Sequence, residues 1–189
     1  MLRSTLTLML LAVAAVAGAE DFDYTYFNAG YGIVEFDDID VDGDGFGIGG
    51  SFEIGEQFHA FAGYELASLD FDVDATQWNA GFGYHTMLSE VVGAYANLSY
   101  QYVEVDVPGF GSADDNGYGF AVGLRFAATP ELELTGGIQY VDLSDSGDNT
   151  GFGAGGLYSF TDNFAVGLAG SWDDDATSYQ LTGRFYFGQ

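Results

Sequence analysis

The sequence predicts an all-β protein: an antiparallel up-and-down transmembrane β-barrel of ten strands, with eight as the alternative count. Three observations carry this expectation. Period-two alternation recurs throughout the chain after residue 19. No later stretch shows a helical period or a run of 18 apolar residues. In every alternating segment one register is large and apolar while the other is small and polar.

Composition narrows the function classes. The 189 residues carry 29 acidic and 3 basic side chains, the latter being Arg3, Arg125 and Arg184, for a formal charge of -26. Nucleic-acid binding is excluded, because neutralising phosphate requires clusters of Lys and Arg. Docking on anionic lipid through a basic patch fails for the same reason. A hydrophobic content of 48% with 17% aromatics is too high for a disordered acidic chain. Without cysteine there is no disulfide framework, thiolate chemistry or Cys-based zinc site.

Residues 1–19 read as a secretory signal peptide. Arg3 supplies the positive start, Leu6 to Ala17 is apolar apart from Thr7, and Ala17-Gly18-Ala19 offers an A-x-A site with cleavage after Ala19. The apolar run falls short of the roughly 20 residues a spanning helix needs, which disfavours a retained anchor. Residues 20–189 then form one barrel domain.

The alternation places strands at about 24–36, 44–54, 58–71, 75–86, 91–105, 117–128, 132–143, 150–160, 163–173 and 176–187. The first segment sets Phe27, Ala29, Tyr31 and Ile33 on one face and Asn28, Gly30 and Gly32 on the other. The second repeats this with Phe46, Ile48, Gly50, Phe52 and Ile54 against Gly47, Gly49, Ser51 and Glu53. The third gives Phe58, Ala60, Ala62, Tyr64 and Leu66, the fourth Trp78, Ala80, Phe82 and Tyr84, and the fifth Val92 to Tyr102 in steps of two. The last five follow suit, from Tyr118, Phe120, Val122, Leu124 and Phe126 through to Tyr179, Leu181, Gly183, Phe185 and Phe187. No charge or amide interrupts the apolar register; the mid-strand charges Glu53, Glu65, Arg125, Glu133 and Arg184 all fall on the other one.

A soluble barrel would turn the apolar face inward and offer bulk water a charged exterior. Here the polar face is mostly Gly, Ser, Asn, Gln and Thr, and aromatics on every strand would overfill a small interior. A membrane barrel reverses the assignment, with lipid outside and a polar lumen within. A charge on the lipid face would cost about 2–4 kcal/mol near the midplane, which accounts for its absence there.

Connections give the orientation. Short turns at Gly55-Glu56-Gln57, Thr129-Pro130-Glu131 and Thr161-Asp162-Asn163 alternate with mostly longer acidic ones at 37–45, 70–74, 106–117, 142–149 and 173–175. Short turns on the periplasmic side, longer loops outside and an even strand count are the outer-membrane pattern. Phe46, Trp78, Tyr100, Tyr102, Tyr140 and Trp172 form the expected outer girdle, and Phe52, Phe58, Tyr84, Phe126, Phe160 and Phe187 the inner one.

With its opening Tyr26-Phe27-Asn28-Ala29-Gly30-Tyr31-Gly32 and its aromatic last strand Gly183-Arg184-Phe185-Tyr186-Phe187, the chain resembles the small outer-membrane β-barrel proteins of Gram-negative bacteria, in the OmpA/OmpX-like sense. The resemblance covers essentially the whole mature chain. It implies a bacterial outer-membrane location, contact with membrane lipid and lipopolysaccharide, and insertion by the barrel assembly machinery. That machinery usually reads a terminal aromatic; here Gly188-Gln189 follow Phe187. The oligomeric state stays open, with a monomer expected.

Candidate site residues are few. Asp38, Asp40 and Asp42 with Gly43 match the first half of a calcium loop, but the twelfth position, where a bidentate acid belongs, is Gly49. A looser Ca²⁺ or Mg²⁺ site among the acidic loops remains as an expectation, set against a simply solvated surface. His59 and His85 would face each other in the lumen near the periplasmic end. Two ligands rarely suffice for zinc, so an ordinary lumen pair is the stronger reading. Arg125 and Glu133, symmetric about the Thr129 turn, suggest an internal ion pair, with Arg184 using another lumen acid such as Glu53. No serine has a placeable base, and both histidines lie at the wrong end for an outer-leaflet enzyme, so the protein reads as a non-enzyme. The expected function is a narrow passive pore for water, ions or small polar solutes, with Glu53, Glu65 and Glu133 favouring cations. The alternative is a structural or interaction barrel acting through its acidic outer loops.

Overall fold

The computed structural model describes residues 22–36 and 41–187; the leader with Ala19, and the loop holding Asp38 and Asp40, lie outside the described residues. Ten strands run in order: β1 (Tyr26–Phe36), β2 (Val41–Glu53), β3 (Phe58–Leu69), β4 (Val73–Ser89), β5 (Val92–Val107), β6 (Gly111–Ala127), β7 (Leu132–Leu143), β8 (Gly147–Thr161), β9 (Phe164–Trp172) and β10 (Ala176–Tyr186). Each pairs antiparallel with its sequence neighbours, and β1 pairs with β10 to close the barrel, from Tyr26↔Tyr186 to Phe36↔Ala176. Closure leaves no sheet edge, the condition a β structure must meet inside hydrocarbon. An even strand count puts the start of β1 and the end of β10 at one end, here called the terminal end; the other is the hairpin end.

The apolar register faces outward. Phe46, Ile48, Phe52, Phe82, Leu98, Ile138, Leu168 and Leu181 stand exposed on the wall. Cross-strand rings meet in bands, as in Trp78 stacked on Tyr102 at 5.6 Å, Phe152 on Trp172 at 5.3 Å, and Phe58 edge-on to Tyr84 at 5.4 Å. Such cross-strand aromatic pairs fix strand register as well as adding stability.

The strands extend further than the alternation of large residues suggests. β2 starts at Val41, β6 at Gly111 and β8 at Gly147, so much of what reads as long acidic loop is paired sheet. The connections at the hairpin end are therefore short, and the asymmetry between the two ends lies in overhanging strand. The physical cause is a swap of polarity along each strand with no slip in its period. Beyond the upper girdle the inward positions become Val34, Phe36, Val41, Leu69, Val73, Val103, Val105, Val141 and Leu143. The outward positions become Glu35, Asp42, Asp44, Asp74, Glu104, Asp106 and Asp142, all exposed. Once the wall leaves lipid and meets water, each strand's amphipathic demand reverses.

Candidate functional site

Among the described residues the polar register encloses a lumen, and side chains fill much of it at the terminal end. At the terminal end the segment before β1 folds inward, burying Phe22 and Tyr24. The Tyr24 ring stacks on His59 at 4.4 Å and on His85 at 3.9 Å. The two histidines are thus brought together at 5.5 Å between ring centroids, diagonally rather than directly opposite, since His59 pairs with Gly83 and His85 with Tyr95. The tyrosine lies against both rings.

Beside this stack, Arg125 and Glu133 form an ion pair with Nε to Oε1 at 3.0 Å, at 0% and 2% exposure. The Thr135 hydroxyl donates to the same Glu133 oxygen at 3.2 Å. The Arg125 guanidinium also lies over the Phe22 and Tyr24 rings, at 4.6 and 4.4 Å. Arg184, 1% exposed, covers the Tyr26 ring at 3.8 Å. Guanidinium groups are weakly hydrated and stack on aromatic faces, so arginine suits these buried positions against rings. Glu53, the acid suggested for Arg184, accepts the Tyr24 N–H at 3.3 Å and so anchors the N-terminal segment. The Thr25 hydroxyl accepts the Glu53 N–H at 3.2 Å.

The lumen glycines are seats rather than empty space. A Cβ on Gly83 would strike the His59 ring, one on Gly93 the Phe22 ring, and one on Gly137 the Tyr95 hydroxyl. At these three positions the missing Cβ makes room for a ring from a neighbouring segment. The signal that could have found the N-terminal filling was present, because Phe22, Tyr24 and Tyr26 continue the inward register backward from β1.

Midway up the barrel a polar belt survives. Glu65 accepts a hydrogen bond from the Gln180 amide at 3.3 Å and borders a cavity of about 60 Å³ with Ser171 and Ser178. Further cavities of about 40 and 30 Å³ lie against Asn97 and Gln139. Each has room for a few water molecules. Above the belt the inward positions turn apolar: one cluster joins Phe36, Leu69, Ala75 and Ala176, another Val103, Val141 and Leu143, and Val105 touches both.

Three acids of the hairpin end tie turns and strands together. Asp42, exposed on β2, donates its N–H to Asp70 at 3.1 Å. Asp115 accepts the N–H groups of Asn116 at 2.7 Å, Asp145 at 3.1 Å and Ser146 at 2.7 Å, tying β6 to the β7–β8 turn. Burial pushes the Asp115 carboxyl up, but bonds from the Ser146 hydroxyl and these amides outweigh it and hold the group below its usual range. Asp173 accepts the N–H groups of Asp175 and Ala176 and the Asn149 amide at the β9–β10 turn. Among the described residues no group of three metal-ligating side chains converges.

A closed ten-stranded β-barrel with an aromatic, charge-free outer belt and a polar lumen defines an integral membrane barrel. Residues 4–160 match the family model described as the outer membrane protein beta-barrel domain, a stretch that includes β1 to β7 and all but the last residue of β8, and the chain belongs to that family. Its place is accordingly the bacterial outer membrane. No curated protein matches the chain. Among solved structures it is similar to an outer-membrane channel from Pseudomonas putida F1, at 10% identity and a TM-score of 0.54, covering 95% of this chain and 100% of that one. It is also similar to the KdgM porin, at 12% identity and a TM-score of 0.48, covering 85% and 99%. Neisserial surface protein A aligns at 16% identity with a TM-score of 0.43, covering 86% and 96%. At these identities the likeness is one of fold.

Proposed function

We propose that this protein is a closed outer-membrane barrel that works through the surface it holds outside the cell, rather than as a standing conduit. The observation that carries this reading is the packing of side chains at the two ends of the lumen. The Tyr24–histidine–Arg125–Glu133 assembly packs into the terminal end, and the apolar clusters around Phe36, Leu69 and Leu143 line the hairpin end. A hydrated ion would meet packed rings at one end and an apolar lining at the other, and an apolar lining that is narrow enough blocks passage by dewetting. The barrel is then a rigid base for acidic hairpins. Planar-bilayer recording of purified, heat-modifiable protein tests this: no unitary steps are expected, whereas steady conducting steps from the folded form overturn it.

The second reading is the narrow cation-preferring pore, and Glu65 favours it. Its carboxylate borders the largest of the mid-lumen cavities described above, and Glu53, Glu65 and Glu133 outnumber Arg125 and Arg184 in the lumen. Under this reading the side chains at both ends must move aside. Any current would then favour cations, and Glu65→Gln would reduce that preference.

A further inference from the structure

Two phenylalanines stand at the tips of neighbouring hairpins, where nothing within the barrel calls for them. Phe71, at the centre of the Asp70–Asp72 turn between β3 and β4, is 79% exposed. Phe110, between β5 and β6, is 92% exposed. Because β4 pairs with β5, through Asp74↔Asp106 at its upper end, these hairpins rise side by side on one arc of the rim. Neither ring stacks on another ring among the described residues.

The backbone sharpens the contrast. Phe71 lies at φ 66° and ψ 26°, in the left-handed region, and Asp72 follows at φ 58°. A bulky side chain there is unfavourable, and turns of this shape take glycine or asparagine. At the other tip Gly109 (φ 83°) and Gly111 (φ 90°) take the left-handed positions on either side of Phe110, which leaves the phenylalanine at the apex. One hairpin thus tolerates strain to present a ring to water, and the other brackets its ring with the residues the bend needs. A large exposed apolar group held at such a cost points to a contact outside the molecule.

The surrounding charge states the chemistry of that contact. Asp70, Asp72 and Asp74 flank the first ring, and Asp106 and Asp114 stand on the stem of the second. The only cations between residues 20 and 189, Arg125 and Arg184, are both buried in the lumen. The field outside is therefore of one sign. It repels a second copy of this chain and anionic glycans, and it attracts cations.

We propose that the Phe71 and Phe110 hairpins form a docking surface for a cationic polypeptide carrying apolar side chains, the acids guiding it in and the two rings supplying its apolar anchor. The proposal deepens the surface-acting reading above. It is tested separately from it, because binding at the rim and conductance through the lumen are independent measurements.

The test uses the full chain in zwitterionic nanodiscs, with empty nanodiscs as the blank. Two labelled probes are compared by fluorescence anisotropy: a peptide of alternating lysine and leucine, and one of equal charge with serine replacing leucine. The native barrel is expected to bind the leucine peptide at least tenfold more tightly, with affinity falling as salt rises. Phe71→Ala with Phe110→Ala should remove that preference and leave the serine peptide unchanged. Phe71→Gly separates function from fold: it should weaken the leucine peptide while the urea midpoint holds or rises, since glycine relieves the left-handed residue. Equal binding of the two peptides by the native barrel overturns the proposal. So does unchanged leucine-peptide binding in the double variant, or a lowered urea midpoint in Phe71→Gly, which would make Phe71 a structural residue.

Discussion

Breaking the Arg125–Glu133 pair is the sharpest perturbation the lumen offers. The two groups meet at 3.0 Å with 0% and 2% exposure, so neither can turn to bulk water when its partner is lost. Removing one member of a buried pair typically costs about 3–5 kcal/mol, because the remaining charge stays in a low-dielectric site. The two halves should not cost the same. Arg125 also covers the Phe22 and Tyr24 rings, so Arg125→Ala removes packing of the N-terminal segment as well as charge. Glu133→Gln keeps the shape and the oxygen that Thr135 bonds, and should fall at the low end of the range. With a urea slope of about 2 kcal/mol per M, these losses move the unfolding midpoint down by about 1.5–2.5 M. The assay is urea unfolding in lipid vesicles, read by Trp fluorescence and by gel mobility without boiling. The double variant Arg125→Met with Glu133→Leu should recover most of the loss, since a well-packed apolar pair can replace a buried ion pair. Additive losses in the double variant, or single losses below about 1 kcal/mol, refute the argument that this pair acts as a unit.

Two further outcomes follow from the same geometry. Trp78 and Trp172 sit on the outer wall, so brominated acyl chains should quench their fluorescence and aqueous iodide should do so only weakly; the reverse result would place the apolar register inside. Asp115 is held below the usual carboxylate range, which ordinarily centres near about 3.9, so its contribution to stability is present above that value. It is lost as pH falls through the lower, folded-state value. The urea midpoints of native and Asp115→Ala protein should therefore differ by a constant amount at neutral pH and converge in acid; a gap that persists in strong acid would mean that the bonds to Asn116, Asp145 and Ser146 do not depend on its charge.

The outer wall was legible in the sequence because lipid imposes one rule on every strand. A charge facing acyl chains is penalised wherever it stands, so Phe27, Ile48, Leu98 and Leu181 announce their direction with no knowledge of their neighbours. Strand number and antiparallel order followed from repeating that rule, and the spacing of Arg125 and Glu133 about one turn placed both in the lumen on adjoining strands.

The inside obeys no such local rule. Whether a glycine leaves a space or seats a ring depends on what reaches it across the barrel: Gly83 carries His59 and Gly93 carries Phe22, contacts between residues far apart in the chain. The stack of Tyr24 on two histidines required β1, β3 and β4 to be wound into one wall, and the apolar cluster of Phe36, Leu69 and Ala176 required β10 to return beside β1. The sequence alone determined which face meets lipid, because that is a contest between each side chain and its solvent. Only the tertiary structure decided which side chains pack inside the barrel, because that is set by residues meeting across a closed ring.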